Sequence, residues 1–115
     1  MTAWKFVKLS RSPNPEKKWR VRLYDASEDK EAHVDFGAKG YDDFTIHGDN
    51  KRKMNYIARH SAREDWKRSG LLTAGFWSRW VLWNLPTIEA SLADTLKRFD
   101  LPKEKTSTRV APPPS

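Results

Sequence analysis

The segment Lys18–Tyr24 constrains the fold more than any other, because polar and apolar side chains alternate strictly along it. In an extended chain, its apolar members fall on one side and its basic members on the other: Trp19, Val21 and Leu23 against Lys18, Arg20 and Arg22. This alternation predicts a β-strand with one dry face. Looser alternation over residues 4–9 and 31–36 predicts two neighbouring strands, and turn sequences fill both gaps.

The third predicted strand directs Ala32, Val34 and Phe36 inward. The glycine-containing segment after it predicts a loop, and Tyr41–His47 is predicted as a short extended piece. The first part of the chain is therefore a predicted three-stranded antiparallel meander with a single apolar face.

Three helices are predicted after the meander. Asp49 or Asn50 is a suitable N-cap for the first, which we expect to run to about His60. Its predicted buried stripe consists of residues at helical spacing, namely Met54, Ile57, Ala58 and Ser61. Thr73 caps the second, Ala74–Trp83. Thr87 caps the third, whose stripe is Ile88, Leu92, Leu96 and Phe99.

From Leu101 the chain is rich in proline, lysine, serine and threonine, and such a sequence cannot bury enough apolar surface to fold alone. The predicted fold is therefore α+β. An N-terminal three-stranded antiparallel meander is followed by three helices in a compact domain over residues 1–100. An extended, basic, proline-rich tail occupies residues 101–115.

Composition narrows the functional classes. The chain has no cysteine, which excludes disulfides, thiolate zinc sites and a cysteine nucleophile. Neither a secretory signal nor an apolar run long enough to cross a bilayer is apparent, so we expect a soluble protein without membrane insertion. The net charge of +7 is unevenly distributed. Residues 1–24 and 50–68 are strongly basic, whereas residues 25–49 are strongly acidic.

No catalytic or metal-ligating pattern is recognisable. The three histidines, His33, His47 and His60, are thirteen or fourteen residues apart, too far for pairing on one helical turn. The chain also lacks a nucleophile elbow and a glycine-rich phosphate loop. We therefore expect no enzyme activity, no cofactor and no small-molecule substrate.

The basic side chains are the better candidates for binding. Lys18, Arg20 and Arg22 would project from one strand face about 6–7 Å apart, near the phosphate spacing of a nucleic-acid strand. Four residues lie close together on the first predicted helix, where arginines flank a ring that is able to stack on bases: Arg52, Tyr56, Arg59 and Arg63. Two other interpretations remain open, namely a solvated surface and ion pairs with the acidic block of this chain or a neighbouring one.

The tryptophans of the second predicted helix, Trp77, Trp80 and Trp83, are too many for a core this small. We expect the first two to be mainly buried and Trp83 to be left for a partner. Arg79 is positioned to stack on one of these rings in a cation–π contact.

Several segments together resemble a family of short basic proteins encoded by large double-stranded DNA viruses, including chlorella and giant viruses. The segments are Phe36–His47, Arg52-Lys53, Tyr56–His60, Thr73–Trp80 and Leu82–Asn84. The resemblance covers roughly residues 18–95. It implies a viral setting but no catalytic residues, because the family has no assigned activity.

In that setting the preferred hypothesis is a structural component of the virion, of minor capsid or cement type. Its partners would be other virion proteins, and it would be made in the host cell cytoplasm. The alternative is a nucleic-acid-binding protein whose strand and helix cations neutralise DNA phosphates. The acidic block weakens that alternative. Interference with a host protein is a third hypothesis.

Overall fold

A computed structural model describes residues 4–103 and confirms the predicted α+β fold. Its strands β1 (Trp4–Arg11), β2 (Lys17–Asp25) and β3 (Lys30–Ala38) form an antiparallel meander in the order β1-β2-β3. The α-helices that follow are α1 (Phe44–His47), α2 (Asn50–His60), α3 (Ala74–Trp77) and α4 (Ile88–Arg98). A 3₁₀ turn covers Arg68–Gly70, and a π-helical segment, Ser78–Leu82, continues α3 directly.

The dry face of the sheet matches the prediction. Its cross-strand rows join Leu9, Val21 and Val34 in one line and Phe6, Leu23 and Ala32 in the next. Between Phe6 and Lys8 the register of β1 shifts by one residue. This bulge at Val7 keeps apolar residues on the dry face on both sides of it, which explains why the alternation in β1 is loose.

Helix α3 and the π-helical segment cover this dry face. Phe76, Trp77 and Val81 are fully buried, and Leu82 is 2% exposed. The Trp77 ring lies 6.4 Å from that of Phe36, and its indole N–H donates to the Leu71 carbonyl at 2.7 Å. A tryptophan in the core therefore has a partner for its only polar atom.

Helix α4 packs against the π-helical segment through its predicted stripe, and between the two the Thr95 hydroxyl donates to the Trp80 carbonyl at 3.2 Å. The chain then returns to the sheet. Leu101 is 3% exposed, and the Phe6 N–H donates to the Pro102 carbonyl at 2.8 Å. Leu101 and Pro102, which the prediction assigns to the tail, thus contact the domain. Most of the predicted tail lies outside the described residues.

The prediction of an extended piece over Tyr41–His47 was wrong, because Phe44–His47 is the short helix α1. Asp43 is its N-cap and accepts from the Thr45 N–H at 2.9 Å. Gly48 ends it with a positive φ of 63°. Asp43 is held in its capping position by an ion pair with a distant residue, Lys18. A long-range contact of this kind leaves no local signal in the sequence.

Helix α2 begins after the predicted cap Asp49 and ends at His60, as predicted. Its predicted buried stripe was wrong. Met54 is 61% exposed, and Ala58 and Ser61 are also exposed. Of the predicted stripe only Ile57 faces inward, and it is joined there by three amphipathic residues: Lys53, Tyr56 and His60. Lysine and tyrosine can cover apolar surface with their carbon atoms, which a simple apolar pattern does not register.

Replacing Gly37 should destabilise the fold more than replacing Gly40, and the difference should report packing on the π-helical segment. Both residues have positive φ, so alanine at either position should cost about 1–2 kcal/mol. A Cβ at Gly37 would also lie 2.9 Å from Leu82 Cδ1, whereas one at Gly40 meets nothing within 4 Å. Gly37→Ala should therefore lose a further ~1–3 kcal/mol.

Urea unfolding followed by tryptophan fluorescence measures both variants. Equal losses for Gly37→Ala and Gly40→Ala would contradict the tight approach of Leu82 to β3.

Candidate functional site

A cleft of about 690 Å³ lies between the end of β3, helix α2 and the first turn of α3. Basic, acidic and aromatic side chains share its walls. Five of the nine predicted binding residues line it: Lys18, Arg52, Tyr56, Arg59 and Trp83. The other four, Arg20, Arg22, Arg63 and Arg79, do not. The fold therefore brings about half of the predicted set to one surface.

Lys18 is held inside the structure. Its ammonium lies 2.7 Å from the Asp43 carboxylate, and the two side chains are only 15% and 3% exposed. It also donates to the Tyr41 carbonyl. Because Asp43 caps α1, this ion pair joins β2 to the start of that helix. A ligand would have to break a nearly buried pair to reach Lys18.

Arg20 forms an ion pair with a carboxylate on the outer face of the sheet. Its guanidinium makes two hydrogen bonds to Asp35, its cross-strand neighbour, at 2.8 and 3.0 Å. These bonds lower the pKa of Asp35 below its usual value. Arg22 is exposed on the same face. Of the three basic residues predicted to share this strand face, Lys18 and Arg20 thus form ion pairs with carboxylates of the same chain, which was one of the interpretations left open. Arg22 forms no ion pair with the residues that the structure describes.

Tyr56 and Trp83 form the centre of an aromatic stack. Their rings lie 4.5 Å apart with planes only 3° from parallel, and His60 stacks on Tyr56 at 4.4 Å. Burial raises the pKa of the Tyr56 phenol to about 12. His47 approaches Trp83 at 5.4 Å. Tyr56, predicted to stack on bases, and Trp83, predicted to contact a partner, therefore stack on each other in the wall of the cleft, and their predicted binding roles stay predictions.

Arg79 makes the predicted cation–π contact. Its guanidinium lies 4.2 Å from the Trp80 ring and 5.5 Å from the Trp66 ring, and it donates to the Trp83 carbonyl at 2.9 Å. Burial is the main cause of the lowered pKa of Arg79. Arg79 thus supports the turn that follows the π-helical segment, and its predicted role as a partner-binding residue stays a prediction.

Three basic side chains at the rim of the cleft remain accessible to a ligand. Arg52 and Arg59 are exposed, and Lys17 is half-buried beside them. Arg52 lies 3.9 Å from the Asp42 carboxylate, at the limit of an ion pair. Neither Lys17 nor Arg59 forms an ion pair with any residue that the structure describes. Sequence reasoning missed Lys17, because it belongs to the apolar side of the alternating strand. Arg63 is exposed but lies outside the cleft.

An acidic residue forms part of the cleft wall. Glu64 Oε2 lies 3.6 Å from His60 Nδ1, slightly beyond hydrogen-bonding distance. A Cβ at Gly75 would lie only 1.9 Å from Glu64 Oε1, so the carboxylate packs directly against the backbone of α3 at this glycine. With Asp42 and Asp43 also present, the cleft has mixed charge.

A second concavity, which we call the aromatic groove, adjoins the cleft and shares the loop residues Tyr41, Asp42 and Asp43 with it. It has a volume of about 400 Å³, and its apolar lining is Trp19, Tyr41, Ile46 and Ile88, with Arg11 and Lys39 among its cations. Tyr41 is 69% and Ile46 61% exposed. The sequence did not reveal this groove, because its lining residues come from distant segments.

Across residues 4–103, no three histidine, aspartate or glutamate side chains are grouped so that they could hold a metal ion. Helices long and apolar enough to cross a bilayer are likewise not found in that range.

Comparison with known proteins places residues 7–60 in the range of one family model, described as a family of unknown function (DUF5754). The matched range includes β2, β3, α1 and α2 and ends before α3. No curated protein and no solved structure matches the chain.

Removing the Tyr56 ring should destabilise the fold, whereas removing only its hydroxyl should not. Tyr56→Ala should lose about 3–5 kcal/mol, because it removes a buried ring between Trp83 and His60. Tyr56→Phe keeps the stack and should remain within about 1 kcal/mol of the parent chain.

The two variants are compared by urea unfolding. If Tyr56→Ala were as stable as Tyr56→Phe, the ring would be free to bind a ligand, contrary to the stack described above.

Proposed function

We propose that this protein is a non-enzymatic docking protein whose partners are other proteins. In the setting that the viral resemblance implies, it is a structural component of a large DNA virus particle, of minor capsid or cement type. The observation that carries the proposal is that two of the candidate phosphate-binding cations are paired with carboxylates on their own surface. Lys18 pairs with Asp43 and Arg20 with Asp35.

This pairing disfavours a polyanion. A phosphate approaching Arg20 meets the carboxylate of Asp35 at the same place, and one approaching Arg52 meets Asp42. Like charges in one footprint oppose binding by Coulomb repulsion. A protein partner, in contrast, can present both signs of charge and complement such a surface.

The apolar surface supports the same proposal. The aromatic groove combines exposed aromatic and aliphatic side chains, Tyr41 and Ile46, with a charged rim. Interfaces between proteins have this composition: aromatic residues are enriched at the centre, and polar residues surround them. The cleft next to it adds accessible arginines, another residue type that is enriched at interfaces.

Nucleic-acid binding is the second candidate, and four cations favour it. Lys17 and Arg59 at the cleft and Lys8 and Arg22 on the outer face of the sheet form no ion pair with other described residues. Lys8 and Arg22 are cross-strand neighbours.

The structural role predicts that purified particles of the virus encoding this chain contain it in many copies. Quantitative mass spectrometry of gradient-purified particles, treated with a lysine-reactive cross-linker, should show cross-links from Lys17 or Lys39 to other virion proteins. Both lysines lie at the candidate surfaces. Absence of the chain from the particles would overturn the proposal.

The nucleic-acid candidate is separated by titrating the full chain against labelled duplex and single-stranded DNA at low and at about 150 mM salt. Two unpaired cations on each surface predict a shallow salt dependence, with a slope near −2 or weaker, and weak binding at the higher salt.

Two double variants serve as matched controls in that titration: Lys17→Gln with Arg59→Gln, and Lys8→Gln with Arg22→Gln. Micromolar or tighter binding by the parent chain at 150 mM salt would favour nucleic acid. If one double variant lost this binding and the other kept it, the residues changed in the first would mark the surface that binds nucleic acid.

A further inference from the structure

The aromatic groove collects much of the exposed apolar surface. Four large apolar side chains stand out as exposed among the described residues: Tyr41, Ile46, Met54 and Leu72. Two of them, Tyr41 and Ile46, line this one groove with the half-buried residues Trp19 and Ile88. Exposed apolar residues that cluster in a concave surface mark a binding site more often than scattered ones do.

The shape and chemistry of this groove suit a proline-rich peptide. Grooves lined by aromatic rings bind proline-rich segments, since a preformed polyproline helix loses little entropy on binding and its rings pack on flat side chains. Here Trp19 and Tyr41 supply the rings, and Ile46 and Ile88 supply aliphatic surface. Arg11 lies 5.0 Å from the Trp19 ring in a cation–π contact at the end of the sheet.

The last described residues lead towards this groove. The Phe6 N–H donates to the Pro102 carbonyl at 2.8 Å, and Lys103 forms a parallel bridge with Phe6. The chain at Lys103 therefore runs in the same direction as β1, along the edge of the sheet that β2 leaves open. Five residues further along β1, at Arg11, that direction reaches the groove.

The remaining sequence is long enough to reach it. The distance from Phe6 to Arg11 along β1 is about 17 Å at ~3.3 Å per residue. The proline-rich sequence Val110–Pro114 begins seven residues after Lys103, and seven residues span up to about 25 Å. Attachment to the same molecule also raises the effective concentration of that sequence to the millimolar range for a short linker.

We propose that the aromatic groove binds the proline-rich sequence Val110–Pro114 of its own chain. The prolines contact Trp19 and Tyr41, and a docking partner that uses this groove has to displace them. The proposal is independent of whether the partners of the protein are virion proteins, because it concerns the isolated chain.

The absence of cysteine from the chain permits a direct test. A nitroxide is attached to Ser115→Cys in the full chain, and paramagnetic broadening of NMR signals is measured against the reduced label. The Trp19 indole signal and the Ile46 and Ile88 methyl signals should lose at least half of their intensity. The amide signal of Glu28, in the turn at the far end of the sheet, should keep its intensity.

Two variants carrying the same label are the controls. The broadening should weaken at least about twofold when Pro112, Pro113 and Pro114 are all changed to serine, because only the tether then keeps the label near the groove. It should weaken likewise in Tyr41→Ser, which removes an exposed ring and leaves the core intact. Broadening of unchanged strength in both variants would show proximity without binding and would overturn the proposal.

The remaining outcomes also decide the matter. No broadening in the parent chain would mean that the groove serves a different occupant. Broadening in a mixture of isotope-labelled chain and separately spin-labelled chain, at the same strength as in the doubly labelled sample, would assign the segment to a second copy. Either result overturns binding within one molecule.

Discussion

The structure depends on covering one apolar face of a three-stranded meander. A sheet this small buries only one face, so it needs a second layer. Helix α3 and the π-helical segment supply that layer. Trp77, Val21 and Phe36 are all fully buried where the two layers meet. At roughly 1.5–3 kcal/mol for each large apolar side chain, this contact is the main source of stability available to the domain.

The π-helical segment explains how residues 81–83 contact both the sheet and helix α2. Its wide turn, closed by the Trp83 N–H donating to the Ser78 carbonyl at 3.1 Å, buries Leu82 as well as Val81 against the sheet. Trp83 then lies on the opposite side, against Tyr56. The many tryptophans are therefore used mainly inside the fold. Trp77 fills the core, Trp83 stacks on Tyr56, and Trp80 lies between Arg79 and Arg98.

The sequence predicted the sheet, the three longer helical segments and their caps, because each depends on local periodicity or on a neighbouring side chain. The prediction failed where one side chain combines an apolar stem or ring with a polar end. The buried face of α2 consists of Lys53 and Tyr56 rather than Met54, since the surface that it covers is aromatic and partly charged. The Lys53 ammonium lies 4.9 Å from the Phe44 ring and donates to the Asn84 carbonyl at 2.6 Å. Contacts of this kind are long-range and leave no periodic signal.

The same limit applies to the charges. Alternating basic and acidic blocks in the sequence suggested extended charged surfaces, yet folding places the blocks against each other. Arg20 on β2 lies next to Asp35 on the neighbouring strand β3, and Lys18 pairs with Asp43 in the loop after β3. The net charge of +7 therefore overstates what a polyanion would encounter. Each surface retains only a few free cations beside carboxylates, so the proposed binding of protein partners rests on shape and on exposed side chains such as Tyr41, with charge setting orientation.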